Sequence, residues 1–598
     1  MNLPLLAELQ RRRVFRALVG YGIAAFAVLQ IIEPVMHGLH WPDSVLTYVV
    51  VALALGFPLV VALAWIFDVN AGRIERTAPR PASPLRGARL ALLLVGIGVL
   101  AATPGVVWYL FVRPGAHPPS SDEALRATLD AVPPASDIRA VPSIAVLPFA
   151  DMSPQKDQEY FSDGMAEEIL NALAQVDGLR VIGRSSSFSF KGKYEDLRVI
   201  GQKLGVANLL EGSLRKAGGR IRITAQLIES SGGSHLWSQV YDRDLADVFA
   251  VQDEIAGAVV AALKVKLLGE RKPDARERRT ANLEVYNQYL LGRQFFNRSN
   301  PEGTRRAVKA FEQALALDPT YAPAWAGLAQ ASFFAARWLG GTVVEVTEAQ
   351  ERALAAAEKA IALAPEFADG YAARGRVRST LKRNWKGGQA DMERALALNP
   401  SDVITLSAFA NDVLLPVGQL AQAVAVARKS TVLDPLDAGS WGVLGLTLYY
   451  AGQIDEGRNA LTRALEISPD YEWAAWQLGI ADLLAGQPAR ALARYKLLSL
   501  DWARFSGAAL ALHDLGRVEE SRQSLDALMS SQAENAAYQV AEIYARRGDK
   551  DRAFAWLERA DAQRDTGLRY VKSDPLLRTL HGDPRYTALL KKMNLPVD

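Results

Sequence analysis

Cysteine is absent from all 598 residues. Its absence excludes disulfides, thiolate metal sites and a cysteine nucleophile together. Histidine is scarce, six in all. His37 and His40 share a short segment with Glu33, but i, i+3 spacing fixes only two ligands where a metal site needs three or four. Neither charge sign dominates: 68 basic residues against 65 acidic ones leave a net +3, which gives no reason to expect a nucleic-acid partner. A Walker-type phosphate loop and a G-x-S-x-G elbow are both missing, so the familiar routes to phosphoryl and acyl transfer have no apparatus. Glu167 and Glu168 are adjacent, diverge on a helix and make no catalytic pair. The chain reads as a protein that is not an enzyme and carries no cofactor or metal.

Long apolar runs are plentiful. Val14 to Ile32, Leu46 to Phe67 and Leu90 to Val112 hold 19, 22 and 23 residues, and roughly 20 suffice to cross a bilayer as a helix. Spanning helices are expected at about 14–36, 46–67 and 90–112, within a membrane domain of residues 1–112. The amino terminus carries Arg11, Arg12, Arg13 and Arg16, and Arg73, Arg76, Arg80, Arg86 and Arg89 follow the second run. The loop from His37 to Ser44 has no Lys or Arg. Basic loops stay cytoplasmic, so the amino terminus is expected inside and residues 113–598 outside. In a Gram-negative bacterium that is the periplasm, with the chain in the inner membrane.

Length allows about three to four domains of roughly 100–200 residues. Residues 113–140 carry Pro114, Pro118, Pro119, Pro133 and Pro134 and read as a semi-rigid linker. Over 141–268 the hydrophobic period switches between strand and helix. Ser143 to Phe149 and Leu179 to Gly183 read as strands, as do Ala207 to Lys216, Arg220 to Glu229 and His235 to Asp242. Tyr160 to Val176, Glu195 to Leu204 and Val248 to Leu267 read as helices. The expected order is β-α-β-α-β-β-β-α, with a hairpin at Gly218-Gly219.

Within this stretch, the segments Ser143 to Phe149, Glu159 to Met165, Gly178 to Ile182, Arg184 to Phe188, Leu210 to Lys216, Arg222 to Leu227 and His235 to Ser238 closely resemble the TolB-amino-terminal-like (FlgO-like) domain. Leu6 to Arg16, followed by an apolar run, looks like the membrane module that accompanies it. The resemblance implies a bacterial protein. It also implies company: such domains occur beside tetratricopeptide arrays, class III nucleotide cyclases and winged-helix regulators. Only the repeat array is evident in this chain.

After a basic linker at 269–283, residues 284–562 repeat. Pro319, Pro365, Pro400, Pro435 and Pro469 stand 46, 35, 35 and 34 residues apart, and a tetratricopeptide unit is about 34 residues of paired helices. Trp441, Leu444, Gly445, Leu461, Ala464 and Pro469 mark the cleanest copy, and about eight are expected. The surplus in the first interval predicts a protruding loop around Trp338 to Glu348. Residues 563–598 resemble the closing segment of such arrays, and a terminal cap is physically required to cover the last apolar face.

The concave face of a solenoid, lined by the first helix of each repeat, holds peptides or partner helices. Its expected positions are Phe333, Phe334, Leu446, Tyr449, Tyr450, Trp476, Ile480 and Leu483. These aromatics form a protein-binding groove or pack between adjacent turns. On the first reading, truncating Tyr449 or Trp476 weakens partner capture without unfolding the array. In the mixed domain, Ser162, Asp163, Arg184 and Ser185 make a possible polar anion pocket, or Ser162 or Asp163 caps its helix.

The fold class expected is three transmembrane helices, then the α/β domain, then an all-α tetratricopeptide solenoid. The function expected is a periplasmic interaction scaffold binding other proteins or peptides. The alternative is a receptor signalling through the membrane to a separate cytoplasmic cyclase or regulator.

Overall fold

The computed structural model describes residues 142–176, 178–263, 280, 282–338, 343–532 and 535–597, together with Val28 and a strand pair at 67–76. The expected linkers at 113–140 and 269–283 fall almost wholly outside these residues, as does the His37–His40 pair. The chain divides into two units, Met1–Ser120 and Ser121–Asp598.

In the first unit, β1 (Phe67–Asn70) pairs antiparallel with β2 (Arg73–Arg76), Phe67 opposite Arg76. Among the described residues no helix is long and apolar enough to cross a membrane. The expectation of a fold built on three spanning helices is corrected on that finding. The three apolar runs themselves lie outside the described residues, save Val28 and Phe67, and Phe67 stands in a strand rather than at a helix end.

The second unit opens with a mixed sheet. β3 (Ser143–Val146) is flanked in parallel by β5 (Arg180–Val181) and β6 (Asn208–Ala217), and β7 (Arg220–Glu229) and β8 (His235–Asp244) continue from β6 as an antiparallel meander. A short β4 (Ala150–Asp151) extends the parallel pairing along β6. Helix α1 (Glu159–Ala174) follows β4, and α2 (Arg184–Phe188) and α3 (Leu197–Leu204) lie between β5 and β6. Helix α4 (Val248–Ala262) closes the unit. The expected order therefore gains β4 and α2. Both are too short to carry a hydrophobic period, two and five residues, and pattern reading has no purchase on them. Along β7 the side chains alternate outward and inward from Arg220 to Leu227, as expected of a strand with one covered face.

Sixteen helices, paired in order, then build the solenoid among the described residues: α5 (Leu283–Phe296) with α6 (Pro301–Leu317), α7 (Ala322–Trp338) with α8 (Val343–Leu363), α9 (Ala368–Thr380) with α10 (Trp385–Leu398), α11 (Val403–Phe409) with α12 (Leu420–Leu433), α13 (Ala438–Tyr450) with α14 (Ile454–Ile467), α15 (Glu472–Leu484) with α16 (Pro488–Tyr495), α17 (Asp501–Asp514) with α18 (Val518–Gln532), and α19 (Ala537–Arg546) with α20 (Lys550–Ala562). Helix α11 runs on through a π-helical stretch, Ala410–Leu414.

Glycine sets the pair spacing. A Cβ on Gly445 would stand 2.5 Å from Leu461, and the Phe311 ring is gripped between Gly292 and Gly327, where added Cβ atoms would reach 2.6 Å. The joints between pairs recur as well: Trp325 and Trp441 each donate their indole N–H to the carbonyl six residues earlier, Pro319 at 2.8 Å and Pro435 at 2.9 Å.

The described surplus residues of the first interval are helical rather than looped. They lengthen α7 and α8 to 17 and 21 residues. From Val343 onward the segment is rich in Ala, Glu and Leu and free of Gly and Pro, a composition that favours helix over loop.

Candidate functional site

Two features of this architecture decide which surfaces are available. First, the mixed sheet and the opening repeats share one core. Helices α1 and α4 enclose Tyr286 of α5: Phe249 lies 4.7 Å and Phe161 6.2 Å from its ring, and Gln252 donates to its hydroxyl at 3.0 Å. Leu290 sits against Gly164. Glu167 on α1 bonds Arg293 of α5 and accepts from Arg184 Nε at 3.2 Å. Burial raises the Glu167 carboxyl, but the two guanidinium groups outweigh it and hold the group below its ordinary range.

A second seam joins the sheet domain to the turn after α12. The Asp434 carboxylate accepts the backbone N–H groups of Ser185 and Ser186 at 3.2 and 2.6 Å, Gly183 N–H donates to Leu433 O at 2.7 Å, and Leu436 N–H donates to Ser186 Oγ at 2.7 Å. Burial, with Asp437 nearby, pushes Asp434 up to about 7, against the lowering effect of these N–H groups.

Of the four residues expected to form a polar pocket, Asp163, Arg184 and Ser185 have partners elsewhere, while Ser162 Oγ and Asp163 Oδ1 are buried with none among the described residues. Asp163 pairs with Lys191 at 2.5 Å, and Arg184 pairs with Glu167. The Ser185 N–H donates to the Asp434 carboxylate. Ser162 lies buried inside α1, whose N-cap is Gln158, so neither Ser162 nor Asp163 caps it.

The second feature concerns the inner face of the later repeats. After α20 the chain turns back through two single turns, Thr566–Tyr570 and Pro575–Leu580, and ends in α21 (Pro584–Lys592). This tail reaches repeats more than 150 positions earlier. Tyr570 packs 6.0 Å from the Tyr450 ring and donates to Asn411 Oδ1 at 2.8 Å. Ser573 Oγ donates to Leu415 O at 2.5 Å, and Trp385 Nε1 donates to Met593 O at 2.8 Å. Arg569 and Arg376 flank the fully buried Asp412 at 3.6 and 2.8 Å. Tyr538 donates to Asp574 at 2.7 Å.

One apolar core consequently runs from Trp385 and Leu415 to Leu595, taking in Leu446, Tyr449, Tyr450, Trp476, Ile480 and Leu483. Tyr449 is 2% exposed and donates to Gln477, while Trp476, 6% exposed, packs 5.2 Å from Trp502. The expectation that Tyr449 or Trp476 can be truncated without loosening the array is revised accordingly. Phe333 and Phe334 lie apart from this group, with the Arg376 guanidinium 5.3 and 4.9 Å from their rings. Phe333 is buried and Phe334 half-buried.

Sequence reading missed the residues that do the enclosing, Arg569, Tyr570, Ser573 and Asp574. Their contacts are remote in sequence and leave no local period.

A tetratricopeptide-repeat family model matches residues 438–471, the α13–α14 pair and its closing turn. With the helix pairs on either side, this makes the carboxy-terminal part of the chain a tetratricopeptide-type solenoid, an architecture that binds proteins. Among characterised proteins, a putative adenylate cyclase 3 of Rhizobium meliloti (strain 1021) is 42% identical over 221 residues, which is 37% of this chain and 38% of that protein. The chain thus spans well under half the length of that relative.

Solved structures with partial likeness include human IFIT1 bound to m7Gppp-AAAA (16% identity, TM-score 0.33, 53% of this chain and 78% of that one). YrrB, described as a tetratricopeptide protein with an unusual peptide-binding site, gives 18% identity and a TM-score of 0.25 over 37% of this chain and 99% of its own. PilW, a type IV pilus biogenesis factor, gives 18% and 0.30 over 34% and 93%.

Proposed function

We propose that the protein is a non-enzymatic interaction scaffold that holds a partner peptide on the inner face of its first repeats, around α5, α7 and the start of α9. The single observation that carries this reading is the contrast just described. The tail fills the inner face of the later repeats, whereas the first helices of the opening repeats keep half-exposed polar side chains such as Gln330 and Asp369. Association there would draw on area burial of about 25 cal/mol per Å², less the entropy of docking.

The proposal includes a place and a domain type. We take the scaffold to work on the periplasmic side of a bacterial inner membrane, which the arginine distribution of the first 113 residues supports. We take residues 141–268 as a TolB-amino-terminal-like domain, on the sequence resemblance. A photo-crosslinking residue at Gln330 should trap discrete protein partners in cells. A blank result from Gln330, with capture from the outer helices instead, would refute the inner-face assignment. A reporter fused after Asp598 that is active only in the cytosol would refute the location.

One observation favours a second reading, a receptor that signals to a separately encoded cyclase. The relative that shares 221 residues is itself named a putative adenylate cyclase. Crosslinks from the basic segment 73–89 to a cytoplasmic protein would support that reading over the scaffold.

A further inference from the structure

Where the sheet domain meets the opening repeats, a cleft of about 60 Å³ remains unfilled. Its walls come from both parts: Asn171 on α1, Tyr289 and Arg293 on α5, Gln330 on α7, Asp369 on α9, and Asn399 and Asp402 in the turn before α11. That volume is several times the roughly 10–15 Å³ needed to hold one water, enough for the head group of one side chain. The two seams described above, Glu167 with Arg293 and Asp434 with Ser185 and Ser186, join the same two parts of the molecule, so both walls belong to one packed body.

The chemistry of the lining is selective. Arg293 is engaged by Glu167 and donates to the Tyr289 hydroxyl at 2.8 Å. Asp402 caps α11 through Ile404 N–H at 3.2 Å and also takes the Thr405 hydroxyl, yet a carboxylate has about four acceptor positions. Asn399 is only 9% exposed, and its Oδ1 has no partner among the described residues. A buried acceptor left in this state costs free energy until a donor reaches it. Among the ionisable groups of the lining, the Arg293 guanidinium stands against two carboxylates, Asp369 and Asp402. The balance leaves one excess negative charge beside an acceptor in want of a donor.

We propose that this cleft receives one basic side chain, the guanidinium or ammonium head of an arginine or lysine carried by the partner peptide. The proposal rests on the scaffold reading and assigns that surface its specificity. A cationic head supplies donors to Asn399 Oδ1 and charge to Asp369 and Asp402. A neutral polar side chain supplies donors without the charge.

The test uses the purified full chain and three acetylated, amidated tripeptides, Gly-Arg-Gly, Gly-Lys-Gly and a citrulline analogue of the first, with binding followed by ligand-observed NMR. The basic peptides are expected to bind at least tenfold more tightly than the citrulline peptide. The double substitution Asp369→Asn with Asp402→Asn, which keeps a competent cap on α11, should abolish that preference without lowering the melting temperature. Asn399→Leu should weaken the basic peptides severalfold. Equal binding of the arginine and citrulline peptides, or an undiminished preference in the double variant, overturns the proposal. If Gln330 still traps a partner in cells in that event, the scaffold reading survives and only the basic specificity falls.

Discussion

The two halves of the solenoid treat their inner faces in opposite ways. In the opening repeats the concave side is shared with a sheet domain: Tyr286 and Phe311 tie helix to helix, and a polar cleft is left at the seam. From α10 onward the chain's own tail covers the array, through Met593 to Trp385, Tyr570 to Asn411 and Tyr450, and Asp574 to Tyr538, and beyond α13 the covered face is apolar and aromatic. The same helix pair therefore serves as a docking surface in one half and as interior in the other. What covers the first helices decides which, since Tyr449 and Gln330 both belong to helices of that class.

The largest expected effects come from the rings that lock each half. Phe311→Ala and Tyr495→Ala should each cost about 3–5 kcal/mol of unfolding free energy in denaturant titrations. Phe311 fills the space between Gly292 and Gly327, and Tyr495 is packed by Gly479 and Gly507. The comparison predicts different footprints. Hydrogen exchange should quicken across α1, α4 and α5 in the Phe311 variant and across α15 to α19 in the Tyr495 variant. Identical footprints would mean that the two cores are one cooperative unit.

A smaller effect is expected at the second seam. Asp434→Ala leaves the buried Ser186 N–H and the part-buried Ser185 N–H without their acceptor and should cost about 1–3 kcal/mol, read as faster exchange at 183–190 with α15 to α20 unchanged.

Next comes a pH dependence where α19 meets the tail. Burial, then Asp574, raises the Glu542 carboxyl well above its ordinary range. Burial likewise raises Asp574, against the lowering effects of its bonds to Glu542 and Tyr538. The folded chain holds protons here that the unfolded chain releases. Stability from this pair is therefore complete below the ordinary carboxylate range and declines as pH rises through the elevated values. Glu542→Gln should flatten that decline in melting temperature between mildly acidic and alkaline buffers. An unaltered slope would show that other groups govern it.

Smallest of all is the exposed Arg220–Asp242–Arg222 cluster on β7 and β8. Such pairs gain little in water, and Asp242→Asn should leave the melting temperature where it was.

How much of this was legible beforehand depends on the range of the contacts. Repeats declare themselves locally: Pro435 and Pro469 end second helices, Gly445 marks a close approach, and alternation from Arg220 to Leu227 marks a strand. The seams and the tail do not. Asp434 meets Ser186 across 248 positions and Trp385 meets Met593 across 208, and neither partner carries a pattern that names the other. For the same reason the aromatic positions 446–483 were placed on the right helices while their exposure was not evident: a groove and a filled groove share one local sequence. The stretch after Val343 erred differently. A gap in repeat spacing was read as loop, although its own residues favour helix.

The lack of native cysteine makes the contrast between the halves directly measurable. Gln330→Cys and Tyr450→Cys, each the sole thiol in its chain, can be labelled with a maleimide under native conditions. Rapid labelling at position 330, with protection at position 450 until denaturant is added, is the expected result. Comparable native rates at the two positions would contradict an open first half and a tail-filled second.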